Sequence, residues 1–241
     1  IIFFSVFTSC ISEDVSPVKI PPIEGSVITL NEKADPTEAN QFWIDLSSGD
    51  VTSTHRELWD LGFYSGDEFR VMLNSSLVMS VGKIENVTNI DAVNSQTVKN
   101  LKDLVQAANF TDNAQYVDNP NGDIVNQTTG ISPISSDDNL NNVYLLNMGH
   151  KVYEGSPSPG TIYNIGDLRG WKKIRILRYA LGYKIQYADL DETSHKEFII
   201  SKDTEYNYRF FSFTTGTYAN IQPKKKEWDL CYTVFTNLTL N

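Results

Sequence analysis

The stretch IRILRYALGYKIQY, residues 174–187, decides the fold class. Two short runs of β-branched, aromatic and basic residues, Ile174 to Tyr179 and Tyr183 to Tyr187, flank a link through Leu181-Gly182, the signature of a β-hairpin. Strand alternation puts Tyr183, Ile185 and Tyr187 on one face and Lys184 and Gln186 on the other, so one side is buried and one is wet.

The same grammar extends outward in both directions. Apolar and aromatic runs separated by Gly, Asn, Asp and Ser predict strands at Phe42–Leu46, Trp59–Tyr64, Phe69–Leu73, Leu77–Val81 and Val143–Met148. Further strands are predicted at Lys172–Tyr179, Tyr183–Ala188, Lys196–Ser201, Tyr208–Phe213 and Trp228–Phe235. Twelve per cent aromatic residues among many Val, Ile and Thr suit half-buried pleated surfaces. The expected class is all-β, mainly antiparallel with many short strands. One helix breaks the pattern near 96–108: Ser95 can cap a segment in which Val98, Leu101, Leu104, Val105 and Ala108 recur at helical spacing, as a cover on the sheet. Residues 111–142, rich in Asp, Asn, Gly and Ser, read as an excursion of turns.

Composition excludes several functions. The 241 residues carry a formal charge of -10, which repels nucleic acid rather than attracting it. Two cysteines, Cys10 and Cys231, are too few for a disulfide framework or a Cys-rich zinc site. There is no Gly-rich phosphate loop, HExxH or nucleophile elbow, so no enzyme is expected, and Cys231 reads as an inert buried thiol on a strand. The turn Asp118-Asn119-Pro120-Asn121-Gly122-Asp123 could, with Asp137-Asp138, offer oxygen ligands to calcium, but it lacks the EF-hand order and reads as an ordinary turn.

The first nine residues, IIFFSVFTS, read as a signal-peptide remnant ending at Cys10, and Phe7-Thr8-Ser9-Cys10 resembles a bacterial lipobox whose cysteine is lipidated. Residues 10–40, with Pro17, Pro21, Pro22 and Pro36, read as a flexible tether to a β domain over 41–241. Ser12-Glu13-Asp14 resembles an export tag for the outer face of the outer membrane. The domain is read as truncated at its C-terminal end, because the strand Trp228–Phe235 is followed by only six residues.

An internal echo runs through the domain. Trp43-Ile-Asp-Leu-Ser-Ser-Gly49 matches Phe210-Phe-Ser-Phe-Thr-Thr-Gly216 in residue type. Each copy is followed by Trp-Asp-Leu, at Trp59-Asp60-Leu61 and Trp228-Asp229-Leu230. Both tryptophans are expected to anchor a sheet face, while Asp60 and Asp229 point away to bind backbone amides or a basic partner.

WIDLSSGDVTSTHRELWDLGFYSGDEFRVMLNSS (43–76), FFSFTTGTYANIQPKKKEWDLCYTVFTN (210–237) and the stretch around YKIQYADL (183–190) together resemble the HmuY-like family of haem-binding lipoproteins. The resemblance implies a cell-surface, lipid-anchored outer-membrane protein that captures haem for iron acquisition and passes it to a TonB-dependent transporter. It also implies axial ligation by His or Met. The inventory is His55, His150, His195, Met72, Met79 and Met148. His150 and Met148 lie in VYLLNMGHKVYEG, before Ser156-Pro157-Ser158-Pro159-Gly160, a setting similar to the family's ligand-bearing strand. Alternation would put both on one face, too close to grip opposite sides of a porphyrin, which leaves His195 or water for the second position. A hairpin-loop role for His150, a polar-turn role for His195, a surface role for His55 and core filling by Met72 and Met79 are the plainer readings. The alternative function is a surface interaction lipoprotein of the same fold that holds no cofactor and contacts a protein or glycan.

Overall fold

The computed structural model describes Gly25, Val27 and residues 35–106, 114–120 and 129–236. The expected signal remnant, Cys10, most of the tether that follows it, and Ala108 lie outside the described residues. Twelve strands form three antiparallel sheets among the described residues, with one short helix, so the expected all-β class holds. The strands β1 (Asn40–Ile44), β2 (Val51–His55), β3 (Leu61–Tyr64), β4 (Val71–Leu73), β5 (Ser80–Lys83) and β6 (Tyr144–Asn147) come first. They are followed by β7 (Trp171–Tyr179), β8 (Gly182–Asp189), β9 (Lys196–Ser201), β10 (Tyr208–Ser212), β11 (Thr217–Ala219) and β12 (Leu230–Tyr232). The sheets run β12-β1-β2, β11-β10-β3-β4 and β5-β6-β7-β8-β9.

The five-stranded sheet is built around the predicted hairpin, and its inner face packs on the four-stranded sheet. Tyr183 and Ile185 are fully buried with Ile174 and Ile176, against Leu61, Phe63 and Phe211. Tyr183 reaches across: its hydroxyl donates to the Tyr64 carbonyl at 2.8 Å and accepts from the Arg70 N–H at 3.2 Å, so its buried polar tip is satisfied by the other sheet. The link differs from expectation. Ala180 and Leu181 form the turn, with Ala180 at φ 49°, and Gly182 already pairs with Tyr179. Gly182 is paired on both sides, with Tyr179 and Ser201, and only glycine fits there because a Cβ would stand 2.1 Å from the Ile200 carbonyl oxygen of β9.

The outer face of that sheet carries the helix α1 (Lys99–Leu104), shorter than expected. Asn94, not Ser95, turns the chain: its carboxamide accepts from the N–H groups of Gln96 and Thr97. Val98, Leu101 and Val105 still cover Val143 and Leu145, and Gly82 in β5 admits them, since a Cβ there would meet Val105 at 2.4 Å.

Other boundaries shift for local reasons. Ser75–Leu77 is a 3-10 turn capped by Asn74, so β5 starts three residues later than predicted. β2, of sequence VTSTH, and the three-residue β11 were not anticipated, because an exposed edge strand needs no apolar alternation. Residues 35–39, assigned to the tether, are fastened to the domain: Arg56 N–H donates to the Ala39 carbonyl, and the Pro36 carbonyl accepts from Tyr163. In the excursion, Ile131 and Ile134 plug into the main core.

The echo is structural. β1–β2 and β10–β11 are equivalent hairpins, with Trp43 opposite Thr52 and Phe210 opposite Ala219. Gly49 and Gly216 both hold positive φ, and their N–H groups donate to Asp45 and Ser212 at 2.9 and 2.8 Å. Each Trp-Asp strand then lies on the other copy's hairpin: β3 pairs with β10, and β12 with β1. Trp59 packs edge-on against Phe210 at 4.7 Å and Trp228 against Trp43 at 4.6 Å. The two copies are unequal in burial, with Trp59 7% exposed and Trp228 only partly buried.

Candidate functional site

Past Asn147 the chain leaves β6 as a ribbon that returns through residues 151–170. Gly149 makes the exit possible: at φ 66° its absent Cβ would stand 2.0 Å from the Leu77 carbonyl oxygen. His150 follows, donating its backbone N–H to that same carbonyl at 2.8 Å and forming a β-bridge with Leu168. Directly paired residues share a face, so Leu168, 73% exposed, stands beside the imidazole. Ile162, Tyr163 and Ile165 of the returning segment are also exposed, and Tyr163 packs edge-on against Tyr153 at 4.4 Å.

The tautomer of His150 follows from its partner. Nδ1 lies 2.9 Å from the Gly166 carbonyl oxygen, which can only accept, so Nδ1 carries the proton. Nε2 of the neutral ring is then the bare lone pair, and the carbonyl fixes the ring plane, the arrangement usual for a metal-ligating histidine.

Polar side chains from residues 56–60 hold the ribbon. The Arg56 guanidinium, 1% exposed, donates to the carbonyls of Thr37, Glu38, Ser76 and Asn164, and burial lowers its pKa. The Glu57 carboxylate accepts from the N–H of Val152. Asp60, fully buried, forms an ion pair with Arg169 at 2.6 Å, and Arg169 also donates to the Met148 carbonyl. The expectation that Asp60 binds an amide or a basic partner is met on both counts, since its other oxygen accepts from Phe213 N–H at 2.7 Å. The roles of Arg56, Glu57 and Arg169 carried no sequence signal, because their partners lie far along the chain.

The other candidates are placed differently. Met148 is 2% exposed within the main core, because the turn at Gly149 breaks the alternation that was to put it beside His150. His195 lies just before β9, its Nδ1 2.8 Å from an Asp91 carboxylate oxygen and its Nε2 3.2 Å from the Gln186 amide. β9 is three strand positions from β6, about 14 Å at the usual spacing. Two axial donors with bonds of about 2 Å stand only about 4 Å apart, so His150 and His195 are not brought together as a pair. His55 caps a 3-10 turn, its Nδ1 accepting from Glu57 N–H. Met79 is in the main core, and Met72 packs beside the tryptophans. Cys231, expected buried, sits exposed on the edge strand β12, although its surroundings push the thiol up to about 11.

One cleft of about 430 Å³ lies beside Trp171 and another of about 380 Å³ beside Trp43 and Trp59, and neither is lined by His150, Met148 or His195. Among the described residues no group of three or more His, Cys, Asp or Glu could hold a metal ion, and no helix is long and apolar enough to cross a membrane. Asp118 and Asp137, weighed as calcium ligands, accept backbone N–H groups.

No curated protein and no solved structure matches the chain. The family model for HmuY protein matches residues 37–199, about two thirds of the sequence, spanning the ribbon and the residues that fasten it. The chain therefore belongs to the HmuY family, whose members are surface-associated, haem-binding proteins.

Proposed function

We propose that this protein captures haem at the cell surface on the ribbon formed by His150 and Leu168, with Nε2 of His150 as the axial donor. The observation that carries this reading is the Nδ1 hydrogen bond to Gly166, which leaves Nε2 bare and the ring oriented. The exposed Leu168, Ile165 and Tyr163 suit the apolar face of a porphyrin, and the exposed Lys151 supplies a cation for its carboxylates. Met148 would have to leave the core to ligate iron, and His195 is held by Asp91, so the second axial position falls to water or to a group from outside the described residues. Cys10 would anchor the chain to the outer membrane, with delivery of haem to a TonB-dependent transporter.

Titration with ferric haem tests the site. The full chain should shift the Soret band, and His150→Ala should not; a shift retained in His150→Ala removes His150 as the ligand. The exposed apolar ribbon equally suits a protein partner, and a wild-type chain that leaves the Soret band unmoved would favour a surface interaction protein without cofactor. Membrane fractionation of Cys10→Ala tests the anchor, which is discarded if the variant stays in the pellet.

A further inference from the structure

The two repeat sheets enclose a cleft of about 380 Å³ that the haem reading does not use. Trp43 of one copy and Trp59 and Phe210 around the other line it, together with Met72 and Tyr208. Asp118, delivered by the excursion after α1, closes one side. Its carboxylate is the one formal charge among the described lining residues, with no Lys, Arg or His beside it. One oxygen accepts from Leu73 N–H at 2.7 Å and the other from Gly130 N–H at 2.8 Å, which leaves a lone pair on each.

That combination selects on charge. An anion, including the carboxylates of a porphyrin, would meet Asp118 with no cation to offset it. A cation gains both the carboxylate and the aromatic rings, and the chain's net charge of -10 draws cations toward the surface. We propose that this cleft binds an organic ammonium cation, a small quaternary or alkylated amine, against Asp118 and the aromatic walls contributed by the two repeats.

The charge state of the cleft sets a second expectation. Burial pushes the Asp118 carboxyl up to about 7. The other titratable groups on the cleft stay neutral in this range, Tyr208 pushed up to about 12 by burial and the sulfur of the exposed Cys231 to about 11 by the desolvating atoms around it. A cation favours the ionised carboxylate, so binding strengthens as pH rises through neutrality.

Choline chloride is the probe, followed by tryptophan fluorescence of the full chain, since Trp43 and Trp59 line the site. Saturable binding is expected at pH 8, weaker by about tenfold at pH 6, where about a tenth of a carboxyl with pKa about 7 is ionised. The neutral isostere 3,3-dimethylbutan-1-ol should bind about tenfold more weakly or less. Asp118→Asn should lose the preference between the two probes. No saturable response to choline at pH 8, or equal binding of the isostere by the wild type, overturns the proposal. The isostere comparison needs no mutation, so it decides the matter even where Asp118→Asn fails to fold. Haem titration is read at the Soret band on a different surface, so either reading can fail without the other.

Discussion

The Asp60 carboxylate and the Arg169 guanidinium meet at 2.6 Å with side chains 0% and 10% exposed, tying the repeat clasp to the ribbon that carries His150. Its repeat counterpart, Asp229, accepts from Leu46 N–H at 2.8 Å as Asp60 does from Phe213, but lies exposed. Removing one partner of a buried pair leaves the other charge uncompensated, so Asp60→Ala should cost about 3–5 kcal/mol. Asp229→Ala should cost far less. Urea unfolding of both variants checks this, and similar losses would mean that the Arg169 pair adds nothing to the clasp.

Trp59 fills a buried site against Phe210, while Trp228 is only partly covered. Trp59→Ala should therefore cost about 3–5 kcal/mol and Trp228→Ala clearly less. Thermal melting ranks the two, and an inverted order would contradict the burial difference.

His150 and Met148, two residues apart, should separate cleanly by phenotype. Met148→Ala empties a core position and should cost about 2–5 kcal/mol while keeping the haem-induced Soret shift. His150→Ala should keep stability and lose the shift. A Met148→Ala variant that folds but no longer responds to haem would bring the thioether back as a ligand.

Gly149→Ala places a Cβ against the Leu77 carbonyl oxygen at a positive φ. The strain should exceed about 1 kcal/mol, and the displaced His150 should bind haem more weakly. Calorimetry and the Soret titration together test it, and wild-type behaviour in both would mean the ribbon can leave Leu77 freely.

Asp118 should make stability depend on pH. Its folded pKa, about 7, lies above the ordinary carboxyl value of 3.8, so between these values the folded state binds more protons than the unfolded state. Stability therefore falls as pH rises from about 4 through 7. Urea midpoints at pH 5 and pH 8 should differ in this sense in the wild type and differ less in Asp118→Asn. A slope unchanged by the substitution would assign the pH dependence to other groups.

Near-neighbour patterns made much of this legible. The period-two runs that pair in β7 and β8 and the Gly turns at Gly49 and Gly216 sit within a few residues of the partners that define them, and the Trp-Asp pair shows itself by its repetition although its own partners lie far along the chain. A sequence therefore records them directly. The helix was legible in kind but not in length, because Val98, Leu101 and Val105 mark only the face that is buried.

By itself the sequence determined an antiparallel β protein with two copies of a hairpin and Trp-Asp strand, and it supplied His150 as a candidate. Only the tertiary structure decided that the copies clasp each other reciprocally, that Gly149 turns Met148 inward while His150 stays out, and that Arg56, Glu57 and Asp60 hold the returning ribbon. The reason is range. Asp60 and Arg169 stand 109 residues apart, as do Arg56 and Asn164 by 108, and no periodicity along the chain encodes which carbonyl or guanidinium folding will bring to a buried side chain.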